Sequence, residues 1–320
     1  MDYDELARDG LILFDRIRDV GADSRALRRD AERGILVKLR RGAYVSTSVW
    51  EASSSRERHL LRARAVLAAS VRPVALAGVS AAAVWGMPID GDWPAEVTVL
   101  DEWQGGGRSE PGVRRTASGF RTAITEFVDE IPVTSVGRTA IDVARSHSFS
   151  AAIGSLDWAL WRRRPNRLTK EDLFAELNSL NPRFGRRHLL RCVGFCTHLS
   201  DSFGESKSRS VIHSLGFDAP ELQVEFTDGQ GTIVPDYFWR SAMVAGEFDG
   251  KAKYTRNVYT RGDPGEVVWR EKKREDRLRR MVSGVTRILS SDVGHPARLE
   301  SLLLEAAVPH GGRTALRREL

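Results

Sequence analysis

Apolar residues recur along this chain at two spacings, every three to four residues in some stretches and every second residue in others. Residues 11–20 carry Leu13, Ile17 and Val20 at helical spacing, and Gly21-Ala22 supplies a turn after them. Asp23 or Ser24 then caps a second helix that runs through Arg33, where Gly34 stops it. Residues 35–45 read as two short strands around Arg41-Gly42. Two helices and a hairpin over residues 1–50 predict a small winged helix. Residues 51–146 predict a second α/β region: a helix over 57–69, short strands at 96–100 and 131–133, and a loop entering a helix over 134–144. Residues 147–196 read as a helical connector, with apolar periodicity at 155–160. The last region, 197–310, predicts a helix that starts within residues 201–209 and runs to Gly216, and strands at 222–226, 233–239 and 244–251. A basic helix at 267–280 and a strand at 285–289 follow. That order gives a mixed sheet flanked by helices, and an α+β protein as a whole.

The strand at 244–251 carries the most informative chemistry. Side chains in a strand alternate faces, so Glu247, Asp249 and Lys251 project from one side. Upstream stands a Pro-Asp pair, Pro235-Asp236. Carboxylates gathered on one face of a sheet suit a hard cation such as Mg2+ or Mn2+, with Asp236, Asp249 and Glu247 as the expected ligands. Such an ion polarises a phosphate and activates a water, and the Lys251 ammonium stabilises charge developing in the transition state. Asp-x-Lys by itself recurs by chance in charged chains; the upstream Pro-Asp and the apolar strand context (Val244, Ala245, Phe248) give it weight.

This arrangement resembles the PD-(D/E)XK nuclease superfamily, and its flanks resemble the restriction-endonuclease-like domains related to very-short-patch-repair (Vsr) endonucleases. The matching residues are Glu205 in Gly204-Glu205-Ser206, Asp236, Glu247-Phe248-Asp249-Gly250 and Arg274-Glu275-Asp276, over roughly residues 200–300. The resemblance implies a metal-dependent endodeoxyribonuclease with Glu205, Asp236, Glu247, Asp249 and Lys251 as its catalytic set. Many relatives place a His where this chain has Lys253.

The first region points to nucleic acid. Arg25, Arg29 and Arg33 form one stripe, with Leu27 and Ala31 facing inward. Together with Arg28, Lys38, Arg40 and Arg41, and against Asp30 and Glu32, they give residues 25–41 a net charge of +5. Such a helix fits the DNA major groove and the hairpin a phosphate backbone; the bland reading is a solvated basic face that contacts protein. The basic helix at 267–280, net +4, offers Arg274 and Arg277 as further DNA contacts. Arg183, Arg186, Arg187 and Arg191 cluster with His188. Gly34 through Val45 follows a G-x-L-x-x-x-R-R-G-x-Y-V pattern, and Ser80-Ala81-Ala82 with Gly86-Met87-Pro88 resembles S-A-A-x-x-x-G-L-P, with Met87 in place of the Leu. These resemble AbiEi-type antitoxins of type IV toxin–antitoxin systems over roughly the first 145 residues. Ser80 and Asp142 have no His at an informative spacing, and Ser80 reads as a helix cap.

Composition sets the bounds. A chain of 320 residues, 41% apolar, has room for two or three domains with real cores, and a net charge of +6 favours a polyanionic partner. Cys192 and Cys196, four apart in an apparent helix, point to neither a zinc site nor a disulfide framework. An acidic first pentapeptide and the lack of a long apolar run predict a cytoplasmic protein without a membrane partner. The expectation is a DNA-binding module before an Mg2+-dependent endonuclease domain, working on duplex DNA in phage defence, toxin–antitoxin biology or DNA repair. The alternative is a non-enzymatic AbiEi-like antitoxin or transcriptional regulator with a degenerate nuclease domain, for which a partner toxin is the expected companion. A protein-binding adaptor is the third reading.

Overall fold

The computed structural model describes residues 3–15, 25–102, 110–250 and 264–311. Helices and strands alternate in mixed sheets, so the protein is α+β as its patterning predicts. The chain divides into two compact units, residues 1–147 with 168–193, and residues 148–167 with 194–320. The stretch expected as a connector is therefore shared between the units. Among the described residues no helix is long and apolar enough to cross a membrane.

In the first unit, β1 (Ile12–Leu13), β2 (Leu36–Arg40) and β3 (Ala43–Ser46) form an antiparallel sheet with β3 in the middle. The turn at Gly42 needs φ = +79°, which glycine adopts without a Cβ penalty. Residues 11–13 are extended rather than helical, because Ile12 and Leu13 pair with Tyr44 and Ala43. Residues 16–24, where the rest of that helix and the Asp23 or Ser24 cap were expected, lie outside the described residues. The helix Arg25–Glu32 closes one face of the sheet through Leu27, which packs with Tyr3, Ile12, Leu36 and Tyr44. On the other face Leu11, Ala43 and Val45 pack against Leu61 and Ala65 of the helix Ser55–Ala68. The core of the expected winged helix thus continues past residue 50.

A five-stranded sheet follows, ordered β6 (Val113–Thr116), β5 (Val97–Leu100), β4 (Ala75–Leu76), β8 (Ile131–Thr134) and β7 (Thr125–Val128). The helix Val136–Ser146 beside it carries Arg138, fully buried and paired with Asp142 at 2.8 Å. Arg138 also donates to the carbonyls of Ser118 and Gly119.

In the second unit the helices Phe149–Leu160 and Phe203–Ser214 pack together at Gly154, where a Cβ would stand 2.3 Å from the Phe203 ring. A hairpin of β9 (Phe226–Asp228) and β10 (Gly231–Ile233) precedes the sheet β11 (Tyr237–Trp239), β12 (Val244–Asp249) and β13 (Gly284–Leu289). The central strand β12 runs antiparallel to β11 and parallel to β13. Parallel neighbours require a crossover, and the basic helix Pro264–Arg279 lies within it. Tyr237, Trp239, Val244 and Phe248 fill one face with Ile212, Leu299 and Leu303. Phe238, Ala245 and Ile233 pack on the other face with Leu278 of the basic helix. The strand acids Glu247 and Asp249 share that second face with Ala245.

Candidate active site

The strand β12 determines where the acids go. Its alternation buries Val244, Gly246 and Phe248 on one side and leaves Glu247 and Asp249 half-buried on the other. The β11–β12 ladder starts at the Tyr237–Gly246 pair, since Pro235 before it has no N–H to donate. One step beyond, the Asp236 carboxylate takes the place of a backbone acceptor, and its Oδ2 accepts the Phe248 N–H at 2.7 Å. Asp236 is thereby tied to the same stretch of strand as Glu247 and Asp249.

Glu205 arrives from the helix Phe203–Ser214. That helix starts over the Phe248 ring, and only glycine fits at Gly204, where a Cβ would lie 2.1 Å from the ring edge. Ser202 is the N-cap and accepts from the Glu205 N–H at 3.2 Å. The Glu205 carboxylate answers by accepting from the Ser202 hydroxyl at 2.7 Å and from the N–H of Asp201, the residue before the cap, at 2.9 Å. Its expected place in the catalytic set therefore competes with a local role at the helix start. An i,i+4 pair with Arg209 does not form, because Arg209 reaches Asp157 at 2.9 Å.

Burial pushes Glu205 up to about 7, and the nearby charge of Asp236 adds to the shift. Glu247 also rises to about 7, from burial first, with Asp236 raising it further and Arg274 opposing. Crowding of like charges is thus present but second to loss of water.

Arginines stand on the strand acids. Arg274 Nη2 lies 3.0 Å from Glu247 Oε1 and also donates to the Val234 carbonyl at 3.0 Å. The Glu247 contact is an ion pair without hydrogen-bond alignment, so this buried oxygen has no hydrogen-bond donor. Arg287, opposite Glu247 in the β12–β13 register, reaches diagonally to Asp249 at 3.6 Å. Arg277, expected on DNA, clamps Asp228 through two bonds of 2.9 and 2.6 Å, and this holds Asp228 down at about 2. Lys251 and Lys253 lie outside the described residues. Among the described residues no group of three or more His, Cys, Asp or Glu side chains is close enough to hold a metal ion.

The basic residues of the first unit fall into two sets. Arg25, Arg28, Lys38 and Arg41 line one groove beside Tyr44. Arg28 is also paired with Glu32 at 3.1 Å and Arg33 with Asp30 at 3.8 Å; both arginines and Arg29 are exposed. Arg40 is drawn away to an ion pair with Glu110.

One contact was not legible from spacing. His59 Nε2 meets Ser80 Oγ at 2.9 Å, and His59 Nδ1 lies 2.7 Å from the Pro94 carbonyl, all in the interior. Ser80 is not the helix cap; Ala77 holds that position, and Ser80 Oγ accepts the Thr98 N–H at 2.8 Å. Burial lowers the His59 pKa, so the imidazole is neutral; both side chains are fully enclosed, which suits them to tying helices to β5 rather than to catalysis. Cys192 and Cys196 are buried and unbridged, and burial pushes the Cys192 thiol up to about 12, removing it as a nucleophile.

No family model and no curated protein matches the chain. Among solved structures the chain is similar to the RV2827C protein from Mycobacterium tuberculosis, at 19% identity over 60% of this chain and 75% of that one, with a TM-score of 0.36. Neither fold nor function is carried over from a likeness of that size.

Proposed function

We propose that the second unit is a restriction-endonuclease-like domain that hydrolyses phosphodiester bonds with a divalent cation, and that the first unit brings it to duplex DNA. The observation that carries this reading is Asp236 beside Glu247: the Asp236 charge raises Glu247, and Glu247 Oε1 is a buried acceptor without a hydrogen bond. Carboxylate oxygens whose neighbour is an ion-paired guanidinium rather than an aligned donor fit Mg2+ or Mn2+. Mg2+ is usually held by one or two carboxylates together with waters and substrate phosphates, so a two-carboxylate site suffices. Asp236 and Glu247 would hold the ion, with Asp249 the next donor on the same strand face. Bound there, the cation supplies polarisation of a phosphate oxygen and a more acidic water.

The chain's own residues do the rest. The Phe248 N–H fixes the Asp236 carboxylate in orientation. Glu205, near 7, is poised to take or give a proton at neutral pH. Arg25, Arg28, Lys38 and Arg41, gathered on one groove, supply phosphate contacts. Phage defence, toxin–antitoxin biology and DNA repair are the settings in which such a pairing of units would serve.

A second reading has its own observations. Both Glu205 oxygens are engaged in the cap, and Arg274 and Arg287 sit on the strand acids. A DNA-binding regulator acting with a partner toxin, its second unit no longer catalytic, would tolerate both. Incubation of supercoiled plasmid with Mg2+ or Mn2+ separates the two. The nuclease reading expects nicked or linear product from the wild type and none from Asp236→Asn, with DNA binding kept in both. Binding without cleavage by the wild type supports the regulator.

A further inference from the structure

Each of the two strand acids shares a guanidinium with an acid on the basic helix. Arg274 spans Glu247 at 3.0 Å and Glu271 at 3.1 Å. Arg287 spans Asp249 at 3.6 Å and Glu275 at 3.1 Å. Glu271 and Glu275 are one turn apart, so they sit on one face of the helix. The same device thus occurs twice, side by side, with the inner acids buried to 16% exposure each and the outer ones at 54% and 29%.

The two arms of each guanidinium are not equal. The outer contacts, Arg274 to Glu271 and Arg287 to Glu275, are formed hydrogen bonds. The inner contacts are ion pairs only: Glu247 Oε1 receives no aligned donor, and 3.6 Å is beyond hydrogen-bond range for Asp249. A planar guanidinium carries five donors, enough to keep its outer partner while letting the inner one go. We propose that Arg274 and Arg287 are internal counter-ions, standing on Glu247 and Asp249 and withdrawing onto Glu271 and Glu275 when a divalent cation enters. This rests on the cation-site reading above. Glu271 and Glu275 then act as positioning residues through the arginines, and the freed inner arms turn toward the bound phosphodiester. The Val234 carbonyl bond keeps Arg274 close by and limits its travel.

The exchange makes two substitutions move cation affinity in opposite directions. Removing the competitor with Arg274→Gln should tighten Mn2+ binding, on the order of ten-fold for one charge removed at close range. Removing the resting place with Glu271→Gln should weaken it, by about three-fold, because Arg274 is thrown wholly onto Glu247. Mn2+ binding to the full chain is read by titration with paramagnetic resonance of the free ion. Asp236→Asn marks the site, and Arg298→Gln, whose partner is Asp292, controls for general charge. Glu271 is exposed, so the sign of Glu271→Gln decides the matter even if Arg274→Gln misfolds; Arg287→Gln repeats the first arm. Tighter binding by Arg274→Gln or Arg287→Gln beyond the Arg298→Gln control, with weaker binding by Glu271→Gln, supports the exchange. Unchanged or weakened binding in both arginine variants, or unchanged binding in Glu271→Gln, overturns it, while wild-type binding that Asp236→Asn abolishes keeps the site. Absence of Mn2+ binding in wild type and all variants removes the site and the exchange together.

Discussion

Two arginine–carboxylate networks in this protein use the same groups to opposite ends. In the first unit Arg138 is sealed at zero exposure, bonded to Asp142 and two carbonyls, with Arg145 standing 3.5 Å from Asp142. Burial raises Asp142 and the neighbouring Glu176; Arg138 opposes both shifts, and Arg145 opposes that of Asp142. Acids and guanidiniums there are equal in number, and Arg138 and Asp142 at their centre are buried. In the second unit Glu247 and Asp249, with Asp236 and Glu205 nearby, meet Arg274 and Arg287, whose side chains are 30% and 45% exposed. Both guanidiniums also bond acids on the basic helix, Glu271 and Glu275, and both are partly exposed. A balanced, enclosed pair organises a core. A half-open cluster of acids is where the proposed cation would enter.

The largest expected effect tests the enclosed side. Asp142→Asn leaves Arg138 buried without its charge partner, which should cost roughly 3–5 kcal/mol of stability. The midpoint of urea unfolding measures it, and a near-neutral change would put both networks in the same class. Glu247→Gln should do the reverse: stability within about 1 kcal/mol of wild type, because Arg274 is partly exposed and keeps Glu271 and the Val234 carbonyl as partners. Cleavage by that variant should nevertheless fall to background on supercoiled plasmid.

Gly204→Ala comes next, since its Cβ would collide with the Phe248 ring. It should cost about 1–3 kcal/mol and, by shifting β12, also weaken Mn2+ binding. A variant as stable as the wild type would dissolve the packing explanation of how Glu205 is delivered.

The pH response is smaller and follows from Glu205 and Glu247, both raised from 4.5 to about 7. Between those values the folded protein holds more protons than the unfolded chain, so stability falls as pH rises through the window and levels off above it. Mn2+ binds the deprotonated acids, so its affinity should climb over the same window and offset the loss. Unfolding at pH 5, 6, 7 and 8, with and without Mn2+, reads both trends, and Glu247→Gln should flatten them. Smallest is the salt effect: replacing Arg25, Arg29 and Arg33 should reduce the slope of log K for DNA against log salt by roughly 0.9 for each phosphate they no longer neutralise.

Much of this contrast was visible in the pattern of residues. The strand period put Glu247 and Asp249 on one face, and helical spacing with the Pro-Asp pair located the elements around them. Those are local facts. What escaped were pairings set by folding at a distance: Arg274 with Glu247, Arg287 with Asp249, and His59 with Ser80. Spacing carries no record of them, because the partners come from different elements. The strand at Ile12–Leu13 was missed for a related reason, since an apolar run of that length satisfies helix and strand periods alike and pairing with β3 decided it. The capping role of Glu205 was legible in Ser202-x-x-Glu205 and was overshadowed by the nuclease motif.

Whether the acid-rich cluster takes a cation can be seen outright in an anomalous difference map from crystals grown with Mn2+ and a short duplex. The expected map has a peak ligated by Asp236 and Glu247, with the Arg274 guanidinium drawn off Glu247 toward Glu271. A map with Arg274 still on Glu247 and no peak at Asp236, although Mn2+ and DNA are present, would contradict it.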